Sequence, residues 1–210
     1  MKTRKPTLLV AIVGGSGAGK TWLAEHLRTV LGRRRTARLS LDDFYRDRSH
    51  VPPARRARVN FDDPRAIDWP ALECVLRALR AGRPARVPVY DFATHCRLAR
   101  MKTLLPKPVV LVDGLWLLRR RSVRQLFALT VFMACPGRLR LSRRLARDVR
   151  ERGRTRASVL RQFREIVEPM HRRFVAPQAR WADVVLDGRA DPQAIQRLAS
   201  RLQELTDVLP

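Results

Sequence analysis

Thr7-Leu-Leu-Val-Ala-Ile-Val13 runs straight into Gly14-Gly15-Ser16-Gly17-Ala18-Gly19-Lys20-Thr21, and this junction decides how the chain is read. An uncharged run with no polar alternation predicts a strand covered on both faces, as in the middle of a parallel sheet. The eight residues after it match G-x-x-x-x-G-K-[ST], the phosphate loop called Walker A. Its glycines let the backbone curl until the N–H groups point at phosphate oxygens, at the positive end of the helix that follows. Gly14, Gly15, Ser16, Gly17, Ala18 and Gly19 form the cradle, Lys20 is placed for the β- and γ-phosphates, and the Thr21 hydroxyl is placed for Mg²⁺. Leu23, Leu27, Val30 and Leu31 then recur at helical spacing, with Gly32 where a C-terminal cap belongs.

Working outward, Thr36 to Leu41 reads as a second strand. A polar stretch with Pro52, Pro53, Pro64 and Pro70 then predicts a functional loop or linker. Asp68 is placed to cap a helix running to about Arg80, with Leu72, Val75, Leu76 and Leu79 on one face. Val87 to Arg100 suits a small pair of strands, and Pro108 to Val112 and Leu129 to Ala134 are buried strands. Arg138 to Arg150 and Ser158 to Val175 read as helices, Ala182 to Leu186 as a last strand, and Pro192 to Leu205 as a last helix. Strands alternating with helices predict an α/β, P-loop kinase fold: a five-stranded parallel sheet flanked by helices. One domain is expected across residues 1–210, the size a single core supports.

The apolar run ends at Val13, too short for a secretory leader, and no stretch approaches the roughly 20 apolar residues of a membrane span. Cys74, Cys96 and Cys135 form no C-x-x-C pair and read as reduced thiols. A soluble, cytoplasmic protein is expected. The net charge of +25 raises a second class, a basic P-loop ATPase that binds nucleic acid through its phosphates. The arginines are spread along the chain rather than gathered in a tail or a nucleic-acid module, so solvated basic faces are the plainer reading and a nucleic-acid partner is not expected.

A phosphate loop by itself leaves kinase, GTPase and motor ATPase open. Two acidic sites narrow the choice. Asp42 and Asp43, in Ser40-Leu-Asp-Asp-Phe-Tyr45, follow the second strand at the edge where parallel sheets bind ligands. Asp113 ends the strand Pro108 to Val112, in the pattern of a Walker B metal carboxylate. Either acid alone reads equally well as a helix cap.

With these residues in place, the chain resembles the uridine-cytidine kinase family, within the group that includes phosphoribulokinase and pantothenate kinase. The resemblance covers about Leu8 to Leu186. It rests on GGSGAGKT, SLDDFYRD, NFDDPRAIDWPAL, PVYDFATHCR, VVLVDG, RRLARDVRERGR and VLRQFREIVEPMHRRFVAPQARWADVVL, in family order. It implies transfer of the γ-phosphoryl of ATP or GTP, with Mg²⁺, to a nucleoside 5′-hydroxyl. It also implies a β-rich insertion over about 60–100 that covers the acceptor, an arginine lid over about 144–156, and homotetrameric assembly. By the same resemblance Asp42 is the catalytic carboxylate, aided by Lys20, Arg147 and Arg152. Thr21, Asp42 and Asp113 are the metal set, and Arg144 and Arg147 join the cradle on the nucleotide. Tyr45, Asp62, Tyr90, Phe92, His95, Arg97, Arg152, Arg154 and Gln162 meet the acceptor, Asp62 at the ribose and Tyr90, Phe92 and His95 at the base. Arg144, Arg147 and Arg154 also lie at spacings that allow one shared helical face.

Three positions depart from the family pattern. Asp113 replaces the usual Glu and is one methylene shorter. Asp43 replaces a small polar residue and is expected to perturb the base or compete for metal. Trp22 stands where a second small hydroxyl residue is usual, and core packing is its expected role. Related acceptors such as pantothenate, ribulose phosphate or nicotinamide riboside stay open beside uridine and cytidine.

Overall fold

The computed structural model describes residues 6–56, 59–189 and 191–207. In chain order its main elements are β1 (Leu8–Gly14), α1 (Lys20–Val30), β2 (Thr36–Ser40), α2 (Trp69–Arg80), β3 (Ala85–Asp91), β4 (Cys96–Leu104), β5 (Val109–Gly114), β6 (Leu129–Ala134), α3 (Gly137–Arg152), α4 (Arg156–Gln162), β7 (Val184–Asp187) and α5 (Pro192–Asp207). Five strands form one sheet in the order β2-β5-β1-β6-β7, all pairs parallel.

Strand β1 lies at the centre of that sheet, which explains its unbroken apolar run. Side chains alternate across a strand, so Leu9, Ala11 and Val13 join one core, with Trp69, Leu72, Leu76 and Leu79 of α2 and with Trp116. Leu8, Val10 and Ile12 join another, with Leu23 and Leu27 of α1 and Leu198 and Leu202 of α5. A polar residue anywhere in β1 would be carried into one core or the other.

Strands β3 and β4 form a separate antiparallel pair. The segment expected to be β-rich over about 60–100 therefore has two characters. Its first half carries α2, whose apolar face is spent on the central core. The hairpin itself runs from Ala85 to Leu104, so it ends later than expected. Asp68 caps α2 as its position predicts, accepting from the Ala71 N–H at 3.2 Å.

Two further expectations are corrected. Trp22 is not core: its side chain is 50% exposed and stacks on His26, one helical turn along α1. Arg154 does not share the helical face of Arg144 and Arg147, because α3 ends at Arg152 and Gly153 turns the chain with φ +61°. Beyond α4 the helical path continues through wide turns at Phe163–Val167 and His171–Val175, on either side of Pro169. A proline has no N–H for the ladder, and the backbone widens around it.

Candidate active site

The phosphate loop leaves β1 at the carboxyl edge of the sheet and is closed by its own backbone. The Ala18 N–H donates to the Gly15 carbonyl at 3.0 Å, and Lys20 Nζ donates to the same oxygen at 3.0 Å. Gly17 and Gly19 have φ of +79° and +95°, a region that disfavours any residue with a Cβ. Close packing from behind adds a second reason for glycine. A Cβ on Gly17 would stand 2.4 Å from the Arg140 carbonyl oxygen, and one on Gly15 would stand 2.7 Å from His171 Nδ1. Arg140 is itself 1% exposed and held by the Cys135 carbonyl and by Glu168. His171, pushed down to about 4 by burial and then by Arg140, stays neutral. Burial also lowers the Lys20 ammonium, against the pull of Asp42 and Asp113, which leaves a cation short of solvation at the floor of the loop.

The strand-end acids converge on that lysine. Asp42 lies in a tight helical turn, Leu41–Phe44, whose start is capped by the Ser40 hydroxyl accepting from the Asp42 N–H. Burial raises its carboxyl to about 6, opposed by Lys20 and reinforced by Asp113. Asp113 is buried at the end of β5, beside Ser40 in the sheet register. Its Oδ1 accepts from the Thr21 hydroxyl at 3.4 Å. The neighbouring acid is both paired and felt at Asp42. Asp43 is held by Lys102 of β4 at 2.6 Å, tying the hairpin to the sheet edge, and its charge still adds to the rise of the Asp42 carboxyl, as expected.

A cleft of about 690 Å³ opens over these groups, with Thr21, Asp42, Asp113, Arg147 and Arg152 in its lining. Its arginines are organised by a residue that sequence reasoning did not single out. Asp148 is fully buried, with Arg147 at 2.8 Å, Arg144 at 3.3 Å, and Arg152 and Arg154 each at 3.7 Å. It is the one acid inside Arg143-Arg-Leu-Ala-Arg-Asp-Val-Arg150, and its i,i+4 relation to Arg144 and Arg152 was the available signal. Arg144 also donates to the Ser16 hydroxyl at 2.9 Å, joining the cluster to the phosphate loop. Gln162 and Arg154 were expected at the acceptor. Instead, the Gln162 carbonyl accepts from both Arg144 and Arg154, and Arg154 also donates to Ser158. Arg97 likewise is taken up internally, bonded to the Phe44 and Tyr45 carbonyls and to Asp68. It clamps β4 onto the turn that carries Asp42.

The aromatic residues of the hairpin do gather. Tyr45, Tyr90 and Phe92 meet with ring centroids 5.3 to 6.5 Å apart, and Phe61, also missed, stacks on His95 at 4.6 Å. His95 takes a φ of +56°, the only such non-glycine among the described residues. The Tyr90 hydroxyl is buried with no hydrogen-bond partner among them. Burial pushes Tyr45 well above its ordinary value, and Asp42 and Asp62 raise it further, which ties the aromatic group to the carboxylates. Burial raises Asp62 against the opposing charge of Arg144.

A phosphate loop at the centre of a five-stranded parallel sheet, two strand-end carboxylates beside its lysine, and an arginine cluster over the cleft define a P-loop phosphotransferase. The chain belongs to the phosphoribulokinase / uridine kinase family, whose model matches residues 9–193, and it is a kinase. It is 39% identical over 196 residues to the uridine kinase of Deinococcus deserti, covering 93% of this chain and 95% of that one. It is 37% identical over 204 residues to the uridine kinase of Chloroflexus aurantiacus, covering 97% and 98%. Among solved structures, phosphoribulokinase from Rhodobacter spheroides shares the fold with a TM-score of 0.64 at 16% identity, over 87% of this chain and 70% of that one. D-glycerate 3-kinase from Cryptococcus neoformans shares it with a TM-score of 0.57 at 21% identity, over 79% and 78%. Among the described residues no helix is long and apolar enough to cross a membrane.

Proposed function

We propose that this kinase transfers the γ-phosphoryl group of ATP or GTP to the 5′-hydroxyl of uridine or cytidine, as a cytoplasmic enzyme of pyrimidine salvage. The observation that carries the acceptor is the unpartnered Tyr90 hydroxyl, buried within an aromatic group that also holds the Phe61–His95 stack. A flat base with polar edges suits both parts, since rings can stack on it and a hydroxyl or imidazole can bond its edge. His95 held at positive φ fits the same reading, because residues kept in sparsely populated backbone regions cluster at ligand sites. The uridine kinases named above agree with that acceptor.

In this reading Asp62 and Asp42 take the ribose end. Asp42, with its carboxyl near 6, is mostly ionised at neutral pH and accepts the 5′-hydroxyl proton as the oxygen bonds to the γ-phosphorus. The bond to the β–γ bridging oxygen breaks, and ADP or GDP leaves. Lys20, the loop N–H groups, Arg147 and Arg152 neutralise charge on the phosphoryl oxygens. Arg152 also lies 5.6 Å from the Phe92 ring, so the lid and the acceptor pocket meet at one residue. Thr21, Asp113 and Asp42 would hold Mg²⁺, which spreads phosphate charge when bound. Among the described residues no three His, Cys, Asp or Glu side chains gather into a metal cage, so nucleotide oxygens must complete the set. A homotetramer, as in the kinases it resembles, is part of the same proposal, and light scattering tests it.

The test is ADP release coupled to a reporter, screened across uridine, cytidine, purine nucleosides, pantothenate, ribulose phosphate and nicotinamide riboside. Turnover with the two pyrimidine nucleosides is expected. A preference for any other acceptor overturns the assignment.

A further inference from the structure

Arg38 enters none of the roles above, yet it stands at the metal carboxylate. It lies on β2, the edge strand beside β5. Its Nε donates to Asp113 Oδ2 at 2.7 Å and its Nη2 to Asp113 Oδ1 at 3.3 Å, a two-pronged grip on the carboxylate. The same Nη2 lies 3.3 Å from the Thr21 hydroxyl. Thr21 and Asp113 are the two side chains that converge beside the phosphate loop, and one guanidinium engages both. The Asp113 side chain is 5% exposed, so little water competes for it.

We infer that Arg38 is a built-in counter-cation at the metal seat, competing with the divalent ion and making its entry depend on the nucleotide. Three hydrogen bonds already fall on the roughly four lone-pair sites of the Asp113 carboxylate, so a directly bound Mg²⁺ must compete with the guanidinium fork for them. With Arg38 in place the pair is neutral, and the seat keeps only Asp42, itself facing Lys20, to draw a free cation. Phosphate oxygens bring the missing negative charge, so an ion arriving with nucleotide can displace the fork where a lone ion cannot. Glu25, 4.0 Å from Nη1 and shared with Arg28 and Arg33, offers the released guanidinium a second carboxylate. Asp113, one methylene shorter than Glu, is short enough to be held against the edge strand by this arginine.

The inference rests on the metal-nucleotide reading of the site but not on the identity of the acceptor, and the two can fail separately. Mn²⁺ is the probe, its free concentration followed by electron paramagnetic resonance on the full chain, with and without ADP. Wild type should bind Mn²⁺ weakly without nucleotide. Arg38→Met should bind it about tenfold more tightly, and the advantage should shrink when ADP is present, because phosphate oxygens then supply the ligands and charge that the seat lacks alone. Adding Asp113→Asn should abolish the gain. Arg38→Lys keeps the charge without the fork and should show a smaller gain, which keeps the test decisive if circular dichroism shows that the methionine variant does not fold. Affinity in the folded variants at or below wild type, or a gain that survives Asp113→Asn, overturns the inference.

Discussion

At the scale of single residues, the two acids of Ser40-Leu-Asp-Asp-Phe-Tyr45 carry opposite expectations. Asp42→Asn should lower kcat by orders of magnitude while nucleotide binding persists, because the shape stays and the proposed proton acceptor goes. Asp43→Asn should cost only a few-fold, since Asp43 is taken up by Lys102. Steady-state kinetics on both variants decide it, and the reverse order would shift the reading of the pair by one residue. The elevated Asp42 carboxyl also fixes a pH profile. As a base it works only when ionised, so kcat/KM should rise with pH through about 6 and then level. Stability runs the other way. A carboxyl raised in the folded state binds its proton more tightly there than in the unfolded chain, so its stabilising contribution is full below about 4 and lost as pH rises through about 6. Asp42→Asn should therefore be more stable than wild type at pH 7, by up to about 3 kcal/mol in urea unfolding. Lys20→Ala should abolish turnover with little effect on folding, since burial already disfavours that charge. At the proposed base pocket, His95→Tyr should shift the uridine to cytidine ratio of kcat/KM by roughly tenfold, the worth of one hydrogen bond to a substrate polar group.

At the scale of elements, the end of α3 is held by one buried carboxylate among four arginines. Replacing Asp148 by Asn leaves those guanidiniums without their counter-charge, and removing one partner of a buried pair costs about 3–5 kcal/mol. The same variant should lose kcat, because Arg147 and Arg152 are no longer aimed at the cleft. Arg152→Ala should lower kcat more than it raises KM for the acceptor, whereas Arg154→Ala, whose bonds run to Gln162 and Ser158, should act mainly on stability. Measuring unfolding and kinetics on the three variants separates a closing lid from a solvated basic helix. A uniform loss of stability without a kcat effect at Arg152 would remove the lid from the mechanism.

Across the whole molecule, the arginines behind the charge of +25 are spread along the sequence rather than gathered in one run. Several of its arginines lie over aromatic rings, Arg120 on Trp69, Arg124 on Trp181 and Arg119 on Phe174, and others are paired with acids. Such arginines serve packing as much as solvation. ATP turnover should accordingly be unaffected by added polynucleotide. A stimulation that fades steeply with salt would restore the nucleic-acid reading.

The phosphate loop, the parallel sheet, the Asp68 cap and the strand-end acids were legible in the sequence because each is a local pattern. A glycine spacing, an unbroken apolar run, or an acid closing a strand constrains its own neighbours, and the backbone has few ways to satisfy it. Tertiary structure alone decided which charges stay free for chemistry. Arg97, Gln162 and Arg154, expected at the acceptor, also make hydrogen bonds within the protein, Asp43 is paired with a lysine 59 residues away while still raising Asp42, and Arg38 reaches Asp113 across 75 residues. The core likewise released Trp22 to the surface. Charge pairing depends on distances between strands and helices brought together only by folding, and a long flexible guanidinium can find any carboxylate within reach. The order of residues along the chain therefore set the frame and the phosphate loop, and the packed fold assigned the arginines.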